Sequence, residues 1–101
     1  MPRGDIVLAR TKTGQPIVRR VWQEDGDEVQ ISHEDYYVRW AKYKVDPWVF
    51  PLKRSNVFQH DEQLFQSLER AFAQKRQGDT KADAELERLW KTAKPYGGVR
   101  R

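Results

Sequence analysis

Residues 36–54, YYVRWAKYKVDPWVFPLKR, hold six aromatic and five basic residues against a single acid, Asp46. Ring faces beside cations have one direct chemical use: the cations hold phosphates while the rings stack on bases or pack on sugars. The candidates for that work are Tyr37, Arg39, Lys42, Tyr43, Lys44, Trp48, Lys53 and Arg54, joined by Arg19 and Arg20 from an earlier basic pair. Residues 23–35, QEDGDEVQISHED, carry six acids and no lysine or arginine. The chain is thus polarised, and a compact fold turns that order into faces of opposite sign. A net charge of +4 points the same way, as a mild sign of a polyanionic partner. A competing assignment places Val38, Trp40, Trp48 and Phe50 in the interior, because aliphatic residues are few. It leaves Lys42, Lys44, Lys53 and Arg54 as a solvated rim.

The inventory for catalysis is thin. The two histidines, His33 and His60, fall in expected loops with no second ligand at metal spacing, and there is no cysteine. Glu24, Asp25, Asp27 and Glu28 surround Gly26, but without the spacing of a calcium loop; they read as the charged tip of a hairpin. No glycine-rich phosphate loop is present. These residues point to a binding module rather than an enzyme, with no cofactor and no metal.

The elements that must position the candidates follow from periodicity. At 101 residues the chain is of one-domain size, and four Trp, four Tyr and four Phe indicate a folded core despite 34% charged residues. Up to about residue 58 the period is two. Strands are expected at 6–10, 17–22, 28–31, 36–43 and 48–52, with TKTGQP as a turn, EDGD as a hairpin and 32–35 as a loop. Pro51 assigns the last strand to an edge or bulge. Beyond residue 60 the period is helical. Asp61 caps a helix with a Leu64, Phe65, Leu68, Phe72 stripe that ends at Gly78. Asp79 or Thr80 caps a second, with Ala82, Leu86, Leu89, Trp90 and Ala93, stopped by Pro95. The expected fold is α+β: a small five-stranded antiparallel SH3-like barrel or curled sheet over 1–58, a helical hairpin over 59–96 packed on it, and a flexible basic tail at 97–101.

Two family resemblances bear on this. GDIVLARTKTGQPIVRRVW (4–22) resembles the strand pair in the catalytic barrel of self-cleaving repressors of the LexA kind. The position matching that family's catalytic lysine is Arg19, which stays protonated and cannot act as a base, and the serine that precedes the Gly-Asp in that family has no counterpart. GDIVLA (4–9) also resembles the first strand of PWWP and Tudor barrels. YYVRWAKYKVDPWVFPLKRSNVF (36–58) resembles the latter half of a chromo domain through Tyr36, Val38, Trp40, Tyr43 and Trp48. That resemblance implies a barrel followed by a helix, and a methyl-lysine cage from Tyr36, Trp40 and Trp48. The Pro-Trp-Trp-Pro signature is missing, and Val49 replaces a glutamate common after the second tryptophan.

The functional expectation is a non-catalytic module that binds DNA or RNA through the basic and aromatic face. The alternative is an adaptor that docks a protein in an aromatic groove, or that uses residues 61–93 to join a protein partner or a second copy. No apolar run approaches the roughly 20 residues of a membrane span, and the apolar run near the start is shorter than a signal peptide needs. The expected location is cytoplasmic or nucleoid-associated.

Overall fold

The structure, a computed structural model, describes residues 3–97. Of the expected tail, residues 98–101 lie outside that range. The elements in order are β1 (Ile6–Arg10), β2 (Pro16–Asp25), β3 (Glu28–Ser32), α1 (Glu34–Tyr43), β4 (Val49–Lys53), a 3-10 turn (Arg54–Asn56), β5 (Val57–Gln59), α2 (Glu62–Arg76) and α3 (Lys81–Thr92). The strands form one antiparallel sheet in the order β4-β3-β2-β1-β5. The fold is α+β, as the periodicity indicates.

The sheet is curled but not closed. β4 and β5 are its two edges, and four strand spacings in a flat sheet span about 19 Å. The chain nevertheless passes from one edge to the other through three residues of 3-10 turn, which rise only about 6 Å. Curling is the geometric solution. It wraps the sheet around Val7, Ala9, Val21, Val29, Ile31, Leu52 and Val57, which form one buried cluster with Tyr96. The register shift between Val21 and Gln23 falls midway along the ten-residue β2, where a bulge sharpens the twist.

The opposite face is covered by the hairpin of α2 and α3. Leu8 and Phe58 pack there against Leu68, Ala71, Leu86, Leu89 and Trp90, with Val18, Leu64, Phe65, Phe72 and Ala93 at the margin. Phe58 and Trp90 stack with centroids 5.2 Å apart. Coverage on both faces explains why Val7, Leu8 and Ala9 are buried in succession. The expected helical stripes therefore cover this chain's own sheet. Asp61 Oδ1 accepts from the Leu64 amide at 3.1 Å and Asp79 Oδ1 from the Lys81 amide at 2.9 Å. Of the two cap candidates for α3, it is Asp79 that makes the bond; Thr80 makes no side-chain cap. After α3 the chain returns along β5, the Gln59 amide donating to Lys94 O at 2.9 Å and the Tyr96 amide to Val57 O at 3.0 Å. This brings the Tyr96 hydroxyl to Asp5, where it donates to Oδ2 at 2.9 Å.

Of the two forms expected for the sheet, barrel or curled sheet, it takes the open, curled one. Three expectations need correction. Residues 36–43 are not a strand but most of α1, and 32–35 are not a loop: Ser32 ends β3 and Glu34 begins the helix. The fifth strand is Val57–Gln59. Pro51 does lie on an edge strand, as its missing N–H requires.

Candidate functional site

α1 forms because its ends are well supplied. His33 Nδ1 accepts from the Asp35 amide at 3.1 Å, and Glu34 and Asp35 occupy the first turn, where the helix dipole favours acids. Lys44 closes the other end in the left-handed conformation (φ 57°), its amide donating to Trp40 O at 2.7 Å. These ends override the strand preference of Tyr36, Val38 and Trp40, whose alternation fits either period. None of the residues in α1 is buried.

One side of the helix seats on β2. Trp40 meets Trp22 edge to face, centroids 4.8 Å apart, and Tyr37 lies 5.4 Å from Trp40. Arg20 ties sheet to helix: its guanidinium pairs with the Glu34 carboxylate, donates to Gly4 O at 2.8 Å and lies 5.3 Å from the Tyr37 ring centroid. The hydrogen bond to Glu34 raises the Arg20 pKa, so the cation is permanent. The Arg3 guanidinium lies 3.9 Å from the Trp22 centroid. Gly4 has φ +100°, and a Cβ there would run into Tyr37 Oη. The Gly-Asp of the two resemblances thus has structural work in this chain: Gly4 makes room for Tyr37, and Asp5 accepts from Tyr96.

Tyr36 and Tyr43, four residues before and three after Trp40, flank that seated face and are exposed. Tyr36 stands 6.1 Å from Trp48 with ring planes 84° apart, and Trp48 stands 6.3 Å from Phe50. Trp48 is 68% exposed and Tyr43 62%. The cations lie over rings: Arg39 at 6.0 Å from Tyr36, Lys42 at 5.2 Å from Tyr43 and Lys44 at 5.0 Å from Trp40. At such exposure each contact is worth about 0.5–1 kcal/mol, weak enough for the cation to move to a stronger anion.

Arg20, Tyr37, Arg39, Lys42, Tyr43, Lys44 and Trp48 are therefore gathered around α1. Arg19, Lys53 and Arg54 are not. Arg19 lies opposite Val7, on the sheet face that lines the curled core. There burial lowers its pKa, and Nη1 donates to Val18 O at 2.7 Å. Lys53 stands opposite Glu28 in the strand register at the far end of β4, about 13 Å of strand from the α1 end. Arg54 forms an ion pair with Glu24 and donates to Gly26 O at 2.9 Å. Both side chains of that pair are nearly buried, 11% and 14% exposed, so Arg54 is a structural residue. Of the three residues in the implied cage, Tyr36 and Trp48 meet, whereas Trp40 turns to Trp22 and Tyr37.

Arg3 and Trp22 belong to the cluster and are absent from the sequence candidates. The signal for Trp22 was alternation, since it follows Arg20 by two residues and shares its face of β2. Among the described residues no three histidine, aspartate or glutamate side chains converge as a metal site, and no helix is long and apolar enough to cross a membrane. Comparison with protein-family models, with curated proteins and with solved structures found no match.

Proposed function

We propose that the protein binds nucleic acid through the exposed flank of α1 and the adjoining Trp48. The observation that carries this is a helix that buries none of its own residues yet sets Arg39, Lys42 and Lys44 beside ring faces. A ten-residue helix is marginal on its own in water, and this one adds nothing to either buried cluster. Seating on β2 accounts for Tyr37 and Trp40, but core formation does not account for Tyr36 and Tyr43. Phosphates recruit the three cations and free the rings for contact with bases or sugars. The acidic 24–28 tip lies at the opposite end of β3, where it favours approach by the α1 end.

The adaptor reading has less support. The apolar stripes of residues 61–93 cover the sheet. Its remaining basis is Val38 and Val45, exposed next to the aromatic residues.

The test is the triple substitution Arg39→Ala, Lys42→Ala, Lys44→Ala, assayed by anisotropy of labelled nucleic acid, with circular dichroism as the check on folding. Binding is expected to fall more than roughly tenfold, and the salt slope to lose about two units, from three contacts at about 0.7 each on a single strand. Unchanged binding by a folded triple variant contradicts the proposal.

A further inference from the structure

We infer that the ligand of this surface is an unpaired strand, with splayed bases stacking on Trp48 and its neighbouring rings. The inference rests on the nucleic-acid reading above and narrows it.

The first ground is the mutual orientation of the rings. His33, Tyr36, Trp48 and Phe50 form a chain with centroid steps of 6.1, 6.1 and 6.3 Å, and successive planes cross at 72°, 84° and 45°. Bases in a duplex are parallel, repeat at about 3.4 Å per strand and present edges rather than faces in the grooves. Parallel, mutually stacked bases cannot lie flat on rings that stand nearly at right angles. An unpaired strand turns each base separately and has faces to offer.

A second, independent ground is the charge on α1. Entry of the helix into a major groove about 12 Å wide carries its first turn between two phosphate backbones. That turn holds Glu34 and Asp35, and the Asp35 side chain is 82% exposed. The cations sit further along, at 39, 42 and 44, beside the rings. A single strand lying across the aromatic side meets those cations and is not forced past the acids.

Trp48 is the principal platform. Tyr36, Trp40 and Tyr43 each have a cation over the ring, whereas no lysine or arginine among the described residues covers Trp48. It is also the most exposed large apolar side chain among them. Its removal therefore tests stacking without opening the core.

The experiment compares wild type, Trp48→Leu and Val45→Ala against three labelled probes in about 50 mM salt, each about 16 nucleotides long: single-stranded DNA, single-stranded RNA and duplex DNA. At least one single strand is expected to bind roughly tenfold or more tighter than the duplex. Trp48→Leu should weaken single-strand binding roughly 5- to 150-fold, the range for one stacked base, with an unchanged melting temperature. Val45→Ala should bind as wild type does. A duplex bound as tightly as the single strands, or Trp48→Leu binding like wild type, overturns the inference while leaving nucleic-acid binding in place. Failure to bind any of the probes overturns both.

Discussion

Trp22 on β2 and Trp40 on α1 meet with ring centroids 4.8 Å apart and planes 88° apart. This contact, the Tyr37 seat against Gly4 and the Arg20–Glu34 ion pair hold a helix that has no buried residue of its own. Edge-to-face pairs contribute about 0.5–1.5 kcal/mol beyond area burial. Trp22→Ala should thus cost about 1–2 kcal/mol of global stability and loosen α1 far more than the core. Amide hydrogen exchange is the measurement: residues 34–43 should exchange faster while β1 and α3 keep their protection. Nucleic-acid binding should weaken as well, although Trp22 lies beneath the proposed contact surface. Unchanged exchange in α1 would show that other contacts seat the helix.

Gly4 and Tyr37 form a second coupled pair. Gly4→Ala places a side chain at φ +100° and against Tyr37 Oη, with a cost of at least about 1 kcal/mol from the backbone alone. Removing the hydroxyl relieves the steric part. Gly4→Ala should therefore cost less in a Tyr37→Phe background than in wild type, a coupling read from denaturant midpoints in a double-mutant cycle. Equal costs in both backgrounds would mean that the substitution acts through the backbone alone.

Arg54 separates structural from binding cations. Its guanidinium pairs with the Glu24 carboxylate, both side chains nearly buried, and donates to Gly26 O. Arg54→Ala should then destabilise the fold by about 3 kcal/mol while a protein kept folded by low temperature binds nucleic acid as wild type does. Loss of binding with full stability would move Arg54 into the interface.

Tyr96 predicts the alkaline behaviour of the fold. Burial, the hydrogen bond to Asp5 and the charges of Asp5 and Glu24 all push its phenol well above the ordinary tyrosine value. The unfolded chain loses this proton near pH 10 while the folded chain retains it. Stability contributed by the neutral phenol is thus complete below about pH 10 and falls as pH rises from there. Tyr96→Phe should be less stable than wild type at pH 8, by about 1 kcal/mol for the lost hydrogen bond, and the gap should narrow above pH 10. A constant gap in thermal melts from pH 8 to 11 would contradict the assignment.

How far these features were legible in the sequence depends on which signals were local. α2 and α3 carry stripes wide enough, and caps clear enough, to be placed from Asp61, Gly78, Asp79 and Pro95. Residues 36–43 satisfy two periods at once. Tyr36, Val38 and Trp40 alternate as in a strand, while Tyr36, Trp40 and Tyr43 repeat as on a helix, and aromatic content favours the strand. The deciding information lay outside the segment, in the His33 cap and the left-handed Lys44. The candidate site was legible where its residues share that helix. Lys53 and Arg54 are adjacent to it in sequence, but β3–β4 register carries them to Glu28 and Glu24. Arg19 and Arg20 are split between two faces by simple alternation, and only the pairing of β2 shows which face meets α1.

The α1 surface, in this reading, holds phosphates. This is tested most directly by anisotropy of a labelled single strand titrated with the wild-type protein at salt concentrations from about 50 to about 300 mM. Micromolar binding is expected at the lowest salt, with a log–log slope of about −2 from Arg39, Lys42 and Lys44 at about 0.7 each. No binding at the lowest salt, or binding that salt does not weaken, would contradict it.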